Sequence, residues 1–249
     1  MTTVLVTGGT GTLGVPTVER LRTGGHDVRV LSRSSGPGLV TGDLLTGEGI
    51  KAAVTGASTV LHLATGLRRK DVLIAQTLLD AAAAAGVAHV VLISIVGIDR
   101  IPLGYYRDKV VIEGLVRESG LPCSVLRATQ FHSFVESMFT AQHRSPVVVA
   151  PAFPVQPIAV EEVADRLVQL VGSRPAGRVA DIGGPDRHDL RTLARLWART
   201  TGTRRPVVPL SLPGKLFAAC RAGSALVPGT PYGRQSFADH LAARAASHP

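Results

Sequence analysis

Cysteine is nearly absent from this chain, and its scarcity excludes two kinds of architecture. Of the 249 residues only Cys123 and Cys220 are cysteines, and they stand far apart. Such a chain cannot form a disulfide framework, and it has no Cys-x-x-Cys pair for metal binding or redox chemistry. A low cysteine content is typical of proteins in a reducing compartment, so we expect a cytoplasmic location.

Aromatic residues and long apolar runs are also scarce. Aromatics make up 4% of the chain, although hydrophobic residues make up 45%. No apolar run reaches the roughly 18 to 20 residues that a membrane-spanning helix needs. The first residues enter a strand pattern without the basic stretch and apolar segment of a secretory signal, so we expect no export. These features predict a water-soluble globular chain without a membrane partner.

Acidic residues are outnumbered by basic residues, 18 against 27, which gives a net charge of +9. A strongly basic chain suggests anionic partners, with nucleic acid among them. The basic residues are scattered, however, and the short groups at 68–70 and 204–205 come with no helix-turn-helix, zinc-finger or RNA-binding signature. We therefore expect a solvated, arginine-rich surface and small anionic ligands, and we do not expect nucleic acid as a partner.

Apolar runs alternate with stretches of helical period over the first 130 residues. The runs predict six strands, at 3–7, 28–32, 39–42, 59–63, 90–95 and 124–127. The segments between them predict helices at 13–23, 70–85 and 108–119, which end near Gly24, Gly86 and Gly120. Continuously apolar strands that alternate with helices predict a parallel sheet covered on both faces. The predicted fold class is α/β, with a doubly wound parallel sheet.

The pattern loosens beyond residue 130. A proline-rich stretch at 147–157 suggests a crossing between two lobes. Two helices are predicted at 160–171 and 190–201, an extended segment at 204–213, and mostly helix and loop at 217–248. We predict a larger lobe at 1–145 and a smaller lobe at 146–249, interleaved as one compact unit.

A glycine-rich turn follows the first predicted strand. Gly9, Gly11 and Gly14 make the pattern G-x-G-x-x-G, while Gly8, Gly11 and Gly14 make G-x-x-G-x-x-G. Between a strand and a helix, such a turn lets the backbone approach a pyrophosphate, which the helix amino terminus attracts. A tight structural loop is the alternative, but both flanks favour dinucleotide binding by the lobe at 1–145. The expected contacts in this turn are Gly8, Thr10, Gly11, Thr12, Leu13 and Gly14.

The end of the second predicted strand indicates which dinucleotide binds. NAD-selective sites carry an acidic residue there, which accepts from the ribose 2′-hydroxyl. This chain has Arg33, flanked by Ser32 and Ser34. A guanidinium can bind a 2′-phosphate through paired, charge-assisted hydrogen bonds, and the serines can add donors. The sequence therefore predicts NADP(H), with a solvent-facing arginine as the alternative.

Asp43 follows the third predicted strand. Its carboxylate can accept a hydrogen bond from the adenine amino group, or it can cap a helix amino terminus. We assign further cofactor contacts to Leu44, Ala64 and Thr65.

Several other segments accompany the glycine turn. They are GDL at 42–44, SIVG at 94–97, YYRDK at 105–109, LRATQF at 126–131 and PIAVEEVA at 157–164. With these segments the chain resembles, over nearly its whole length, the atypical short-chain dehydrogenases/reductases of the NmrA-like, NAD(P)H-binding group. The resemblance implies a Rossmann-type lobe and a smaller carboxyl-terminal substrate lobe. The group includes reductases of carbonyl, quinone and unsaturated substrates, and also regulators that bind the nucleotide without turnover.

Tyr105 and Lys109 stand four residues apart, so they share one helix face and can converge on one edge of a cofactor. A nearby ammonium favours the phenolate form, which suits a phenol to acid catalysis. Ser94, near the end of the fifth strand, can hold the substrate oxygen, or it can cap the strand. The alternative for Tyr105 is packing on an amphipathic helix, and Tyr106 is an adjacent candidate proton donor. The resemblance implies that Lys109 also binds the nicotinamide ribose.

Phe131 is expected near the nicotinamide, since the resemblance implies that Thr129, Gln130 and Phe131 lie beside the ring and the substrate. His62 and His89 are expected to be packed or hydrogen-bonded imidazoles at strand boundaries. His132 and Glu136 share a predicted helix face, but no third ligand is suitably spaced, so we expect no metal site.

The leading hypothesis is an NADPH-dependent oxidoreductase that transfers hydride to a small or medium carbonyl, quinone or conjugated substrate, with Tyr105 as proton donor. The first alternative is a redox-sensing regulator that binds NADP(H) without turnover. The second is an epimerase-like enzyme, for which the short carboxyl-terminal half leaves little room. We expect a small-molecule substrate and a monomer or homodimer.

Overall fold

The computed structural model describes residues 2–65 and 70–247. The strands are β1 (Thr3–Thr7), β2 (Asp27–Ser32), β3 (Leu39–Thr41), β4 (Thr59–His62), β5 (His89–Ile95), β6 (Cys123–Ala128), β7 (Val148–Pro151), β8 (Pro154–Val155), β9 (Gly177–Arg178), β10 (His188–Asp189) and β11 (Val207–Leu210). The helices are α1 (Gly14–Thr23), α2 (Ile50–Val54), α3 (Asp71–Ala84), α4 (Gly104–Glu118), α5 (His132–Thr140), α6 (Val160–Val171), α7 (Leu190–Thr200), α8 (Lys215–Arg221) and α9 (Phe237–Ser247). None of these helices is long and apolar enough to cross a bilayer.

A seven-stranded sheet has the order β3-β2-β1-β4-β5-β6-β9. β1 pairs in parallel with β2 and with β4, so that Val6 lies opposite both Val30 and Leu61. The chain moves outward in one direction from β1 to β3 and in the other from β4 to β6. In such folds ligands bind beyond the carboxyl ends of the strands where the order reverses, here at β1 and β4. The predicted α/β fold, a Rossmann-type doubly wound parallel sheet, is confirmed.

The apolar sequence of the central strand β1 explains its position in the middle of this sheet. Val4, Leu5 and Val6 of β1 are completely buried, as two-sided coverage by helices requires. A core cluster joins Leu5 and Val60 of the sheet to Leu78 of α3. This packing holds the carboxyl end of β1 in a fixed position.

The predicted strands of the sheet lie within one residue of the observed ones at each end. Two helices differ more. α4 begins at Gly104, four residues before the predicted start, which places Tyr105 in its first turn. α2 was not predicted, because five residues between Gly49 and Thr55 are too few to show a helical period.

The described residues divide into two units. One comprises those within Met1–Ser94, Gly104–Arg127 and Val163–Ala180, and it contains the glycine turn. The other comprises those within Ile95–Leu103, Ala128–Glu162 and Asp181–Pro249. The chain passes from one unit to the other several times. The boundary after residue 145 between two interleaved lobes stays a prediction.

The second unit has a core of its own. Helices α5, α7 and α9 contribute to it together with β7. The rings of Phe139 and Trp197 lie 5.8 Å apart there, and both side chains are buried. Aromatic pairs of this kind add packing energy beyond the area that they bury.

Candidate functional site

The glycine turn joins the end of β1 to the start of α1. Gly8 has a φ of +71°, and a Cβ added to it would lie 2.7 Å from the backbone nitrogen of Ala64. A Cβ on Gly14 would overlap the carbonyl oxygen of Gly8. The Gly11 N–H donates to this same oxygen over 3.1 Å. Side chains are therefore excluded at both ends of the turn, and the backbone stays open to a ligand.

The amino terminus of α1 suits an anion. Its N-cap residue, Leu13, has no side-chain oxygen with which to cap the first turn. Thr10, Gly11 and Thr12 are exposed at the same place. Uncapped N–H groups at a helix amino terminus attract phosphate groups. The residues of this turn thus fit the pyrophosphate of a dinucleotide.

The arginine predicted to select the cofactor lies just beyond β2. Arg33 is exposed and has no hydrogen bond or ion pair with any residue in 2–65 or 70–247, so its guanidinium is available to a ligand. Ser32 behaves differently, because its Oγ accepts from the Ser34 N–H over 3.1 Å. The two serines thus shape this corner of the chain, and both hydroxyls keep a proton to donate.

Asp43 and Leu44 have local structural roles after β3. The Asp43 Oδ1 accepts from the Leu45 N–H over 2.8 Å, which stabilises a turn. This contact does not cap a helix, since the next helix, α2, begins at Ile50 with Gly49 as its N-cap residue. The Leu44 side chain is buried in the core cluster of the sheet. Cofactor contacts by these two residues stay predictions.

A buried hydrogen bond links the ends of β1 and β4. The Thr7 Oγ1 lies 2.7 Å from the His62 Nδ1, and it also accepts from the Ala64 N–H over 3.3 Å. Burial, and in smaller part the charge of Lys109, lowers the pKa of His62 to about 3. His62 is therefore a neutral, packed imidazole at neutral pH, as the sequence predicts.

Four polar side chains meet next to this pair, and we call them the Tyr105 cluster: Thr65, Asp71, Tyr105 and Lys109. The Thr65 hydroxyl donates to the Asp71 Oδ2 over 2.9 Å and lies 3.1 Å from the Tyr105 hydroxyl. The Lys109 Nζ lies 3.9 Å from the Asp71 Oδ2 and 5.5 Å from the centre of the Tyr105 ring. The side chains of Lys109 and Asp71 are 6% and 3% exposed, whereas Tyr105 is 36% exposed. The cluster combines a buried ion pair with an accessible phenol.

Two residues that help to build the candidate site were not identified from the sequence: Asp71, a member of the Tyr105 cluster, and Glu113, which lies outside it. Asp71 belongs to no motif, and its only sequence signal is an acidic residue in the first turn of α3. Glu113 on α4 accepts from the Arg127 Nε and Nη2 over 2.8 and 2.7 Å, and both side chains are buried. This bidentate pair fixes α4, which carries Tyr105 and Lys109, to β6.

Ser94 is 3% exposed, and its Oγ has no hydrogen-bond partner in the described part of the chain. A buried hydroxyl without a partner costs about 1–3 kcal/mol. The strand-capping alternative for Ser94 therefore has no supporting contact among these residues. Its role toward a substrate oxygen stays a prediction.

The remaining predicted residues lie in the second unit. Phe131 is the N-cap residue of α5 and forms a backbone bridge with Ile158. The Glu136 Oε2 lies 2.9 Å from the His240 Nε2 and 3.1 Å from the Arg244 Nη1. Within residues 2–65 and 70–247, no group of three or more His, Cys, Asp or Glu side chains is arranged so that it could hold a metal ion.

The basic group at 68–70 lies mostly outside the described residues, which include Lys70 but not Arg68 or Arg69.

Two curated proteins resemble this chain in sequence. A divinyl chlorophyllide a 8-vinyl-reductase, chloroplastic, of Oryza sativa subsp. indica is 28% identical over 223 residues, covering 75% of this chain and 55% of that protein. The photosystem II assembly factor Ycf39 of Cyanophora paradoxa is 26% identical over 206 residues, covering 69% and 64%. The matched region thus spans between half and two thirds of the length of these relatives.

A solved structure shares the fold over almost the whole chain. It is the NADPH-dependent quinone oxidoreductase of Escherichia coli, complexed with NADPH, with a TM-score of 0.81 and 17% identity. The match covers 97% of this chain and 99% of that one. The NmrA-like family itself matches residues 1–217. This chain therefore belongs to the NmrA-like family.

Proposed function

We propose that this protein binds NADP(H) and reduces a small or medium carbonyl, quinone or conjugated substrate, with Tyr105 as the proton donor. The observation that carries the proposal is the meeting of the glycine turn and the Tyr105 cluster at the carboxyl ends of β1 and β4. Gly8 packs against the backbone of Ala64, and the next residue, Thr65, is hydrogen-bonded to Tyr105. A dinucleotide held by the turn would therefore reach toward the accessible phenol.

The residues of the site have distinct roles in this proposal. Arg33 binds the 2′-phosphate, and the turn from Gly8 to Gly14 binds the pyrophosphate. When bound, NADPH supplies a hydride from its nicotinamide ring. Tyr105 gives its phenolic proton to the substrate oxygen, and Lys109 places a positive charge beside the ring of that tyrosine.

The relatives support this reaction class. The rice relative is named a reductase of a vinyl group, and the solved Escherichia coli neighbour is named an NADPH-dependent quinone oxidoreductase. A cytoplasmic location, expected from the low cysteine content, is part of the same proposal, although the rice relative is named as chloroplastic. A monomeric or homodimeric state is part of it too.

A second candidate is an NADP(H)-binding protein without turnover. The observation that favours it is the similarity to an assembly factor, Ycf39. The charge of the Lys109 ammonium is also partly compensated by the Asp71 carboxylate, whose Oδ2 lies 3.9 Å from the Lys109 Nζ.

Cofactor selectivity is tested by thermal unfolding with NADPH and with NADH. A ligand at 100 times its Kd stabilises the native state by about 2.7 kcal/mol, so NADPH should raise Tm more than an equal concentration of NADH. Arg33→Gln should remove this difference. Arg29→Gln is the matched control, since Arg29 lies on β2 and donates to the Thr55 carbonyl. Equal effects of the two nucleotides on the unmodified protein would refute the role of Arg33.

Turnover is tested by following NADPH oxidation, without oxygen, across a panel of carbonyl, quinone and conjugated substrates. Tyr105→Phe should lower kcat by about 10²- to 10⁴-fold while NADPH affinity is kept, because a general acid contributes that much. Tyr106→Phe is the control, and it should leave kcat nearly unchanged. Tight NADPH binding without oxidation on any substrate would favour the second candidate.

A further inference from the structure

The direction of the hydrogen bonds in the Tyr105 cluster follows from the chemistry of its members. A carboxylate beside an ammonium accepts hydrogen bonds and does not donate them. The Thr65 hydroxyl has one proton, and it is donated to the Asp71 Oδ2. The contact of 3.1 Å between the Thr65 and Tyr105 oxygens must therefore use the phenolic proton of Tyr105.

The same carboxylate also faces the lysine. The Asp71 Oδ2 lies 3.9 Å from the Lys109 Nζ, and both side chains are almost completely buried. Asp71 thus contacts Lys109 directly and reaches Tyr105 through Thr65. Asp71 lies on α3 and the other two on α4, so one buried carboxylate connects two helices that pack together.

We infer that Asp71 and Thr65 are positioning residues for Tyr105 and Lys109. Asp71 orients the Thr65 hydroxyl, and Thr65 in turn holds the phenol of Tyr105 at the carboxyl end of β4. A substrate oxygen then replaces Thr65 as the acceptor of the phenolic proton. This inference rests on the proposed reductase function, and it adds two residues that no motif of the sequence identified for this role.

The hydrogen-bond chain can be tested without turnover. The protein has three tyrosines, Tyr105, Tyr106 and Tyr232, so labelling tyrosine with ¹³C at Cζ gives three resonances, and Tyr105→Phe assigns one of them. The Cζ resonance reports the hydrogen bonding of its own hydroxyl. Thr65→Val keeps the shape of the side chain but removes the hydroxyl, and it should shift the Tyr105 resonance. Thr65→Ser should restore the resonance to its original position.

Kinetics test whether this positioning matters for the reaction. Thr65→Val should lower kcat by about 10-fold, the equivalent of one hydrogen bond. Thr65→Ser should recover most of the rate. Asp71→Asn keeps an acceptor for Thr65 but removes the charge facing Lys109, so it should lower kcat while shifting the Tyr105 resonance less than Thr65→Val does. Thr23→Val, which removes an exposed hydroxyl bonded within α1, is the control.

The outcomes separate this inference from the proposed function. An unshifted Tyr105 resonance in Thr65→Val would overturn the inference, whether or not the protein oxidises NADPH. Unchanged kcat in Thr65→Val, together with a large loss in Tyr105→Phe, would also overturn it and leave the reductase proposal intact. A shifted resonance in a protein that oxidises no substrate would retain the positioning contact and refute the reductase proposal instead.

Discussion

Gly8 is the residue at which backbone conformation and close approach coincide. Its φ of +71° lies in the left-handed region, and its α-carbon faces the backbone of Ala64 just after β4. An L-residue at such a position incurs conformational strain, and a side chain there would also push the two strand ends apart. The glycine motif therefore has a structural function at this position besides leaving room for a pyrophosphate.

We predict that Gly8→Ala destabilises the protein more than Gly86→Ala. Gly86 has a similar φ, +67°, but a Cβ there would meet no atom within 4 Å. Both variants incur the left-handed strain of about 1–2 kcal/mol. Gly8→Ala adds a steric cost of about 1–3 kcal/mol, as overpacking does. Urea denaturation measures both, and equal losses of stability would show that the contact with Ala64 relaxes freely.

Helix α4 is the element on which the candidate chemistry depends. Tyr105, Lys109 and Glu113 follow one another at intervals of four residues, so they lie along one face of the helix. Lys109 and Glu113 on this face are buried, and each faces an opposite charge, Asp71 or Arg127. The ion pairs thus act together with the apolar packing of Ile112 and Val116, which are buried in the core cluster, to position this helix.

We predict that Glu113→Leu destabilises the protein by about 3–5 kcal/mol, because it leaves the Arg127 guanidinium buried without its carboxylate. The double variant Glu113→Leu with Arg127→Leu should be more stable than Glu113→Leu alone, since both charges are then removed. Urea denaturation of the single and double variants measures the difference. If the double variant were the less stable of the two, the buried charge would not be the cause.

At the scale of the whole molecule, each of the two units contains a buried imidazole. Burial, the larger cause, lowers the pKa of His62 to about 3, and burial likewise lowers the pKa of His132 to about 4. Both imidazoles bind a proton more readily in the unfolded chain, where the pKa is about 6.5. Their contribution to stability is therefore complete above pH 6.5 and is lost as the pH falls below that value.

We predict that the protein is acid-labile between pH 6.5 and 5. At pH 5 each of these imidazoles should have lost about 2 kcal/mol of stability relative to pH 8. His62→Gln and His132→Gln should each make the free energy of unfolding less dependent on pH in this range. His143→Gln, at an exposed position, is the control. Urea denaturation at a series of pH values measures the effect, and an unchanged pH dependence in both variants would contradict it.

Structural features that are encoded by residues close together in the sequence were predicted well. Six of the seven strands of the sheet, the fold class and the family follow from apolar runs and from motifs of a few residues, whereas β9, an exposed Gly-Arg pair, was not predicted. Arg33 follows β2 and is exposed, while its role toward the cofactor stays a prediction. The start of α4 was placed too late, because boundaries carry less signal than the apolar period of a helix interior.

The sequence by itself determined the alternation of strands and helices, the glycine turn and the spacing of Tyr105 and Lys109, because these patterns are local. Only the tertiary structure decided which polar groups meet. Asp71 reaches Lys109 across 38 residues, and Glu113 reaches Arg127 across 14. Contacts of this kind depend on how helices dock on the sheet, and no short pattern encodes that. The same docking left the Ser94 hydroxyl buried without a partner among the described residues.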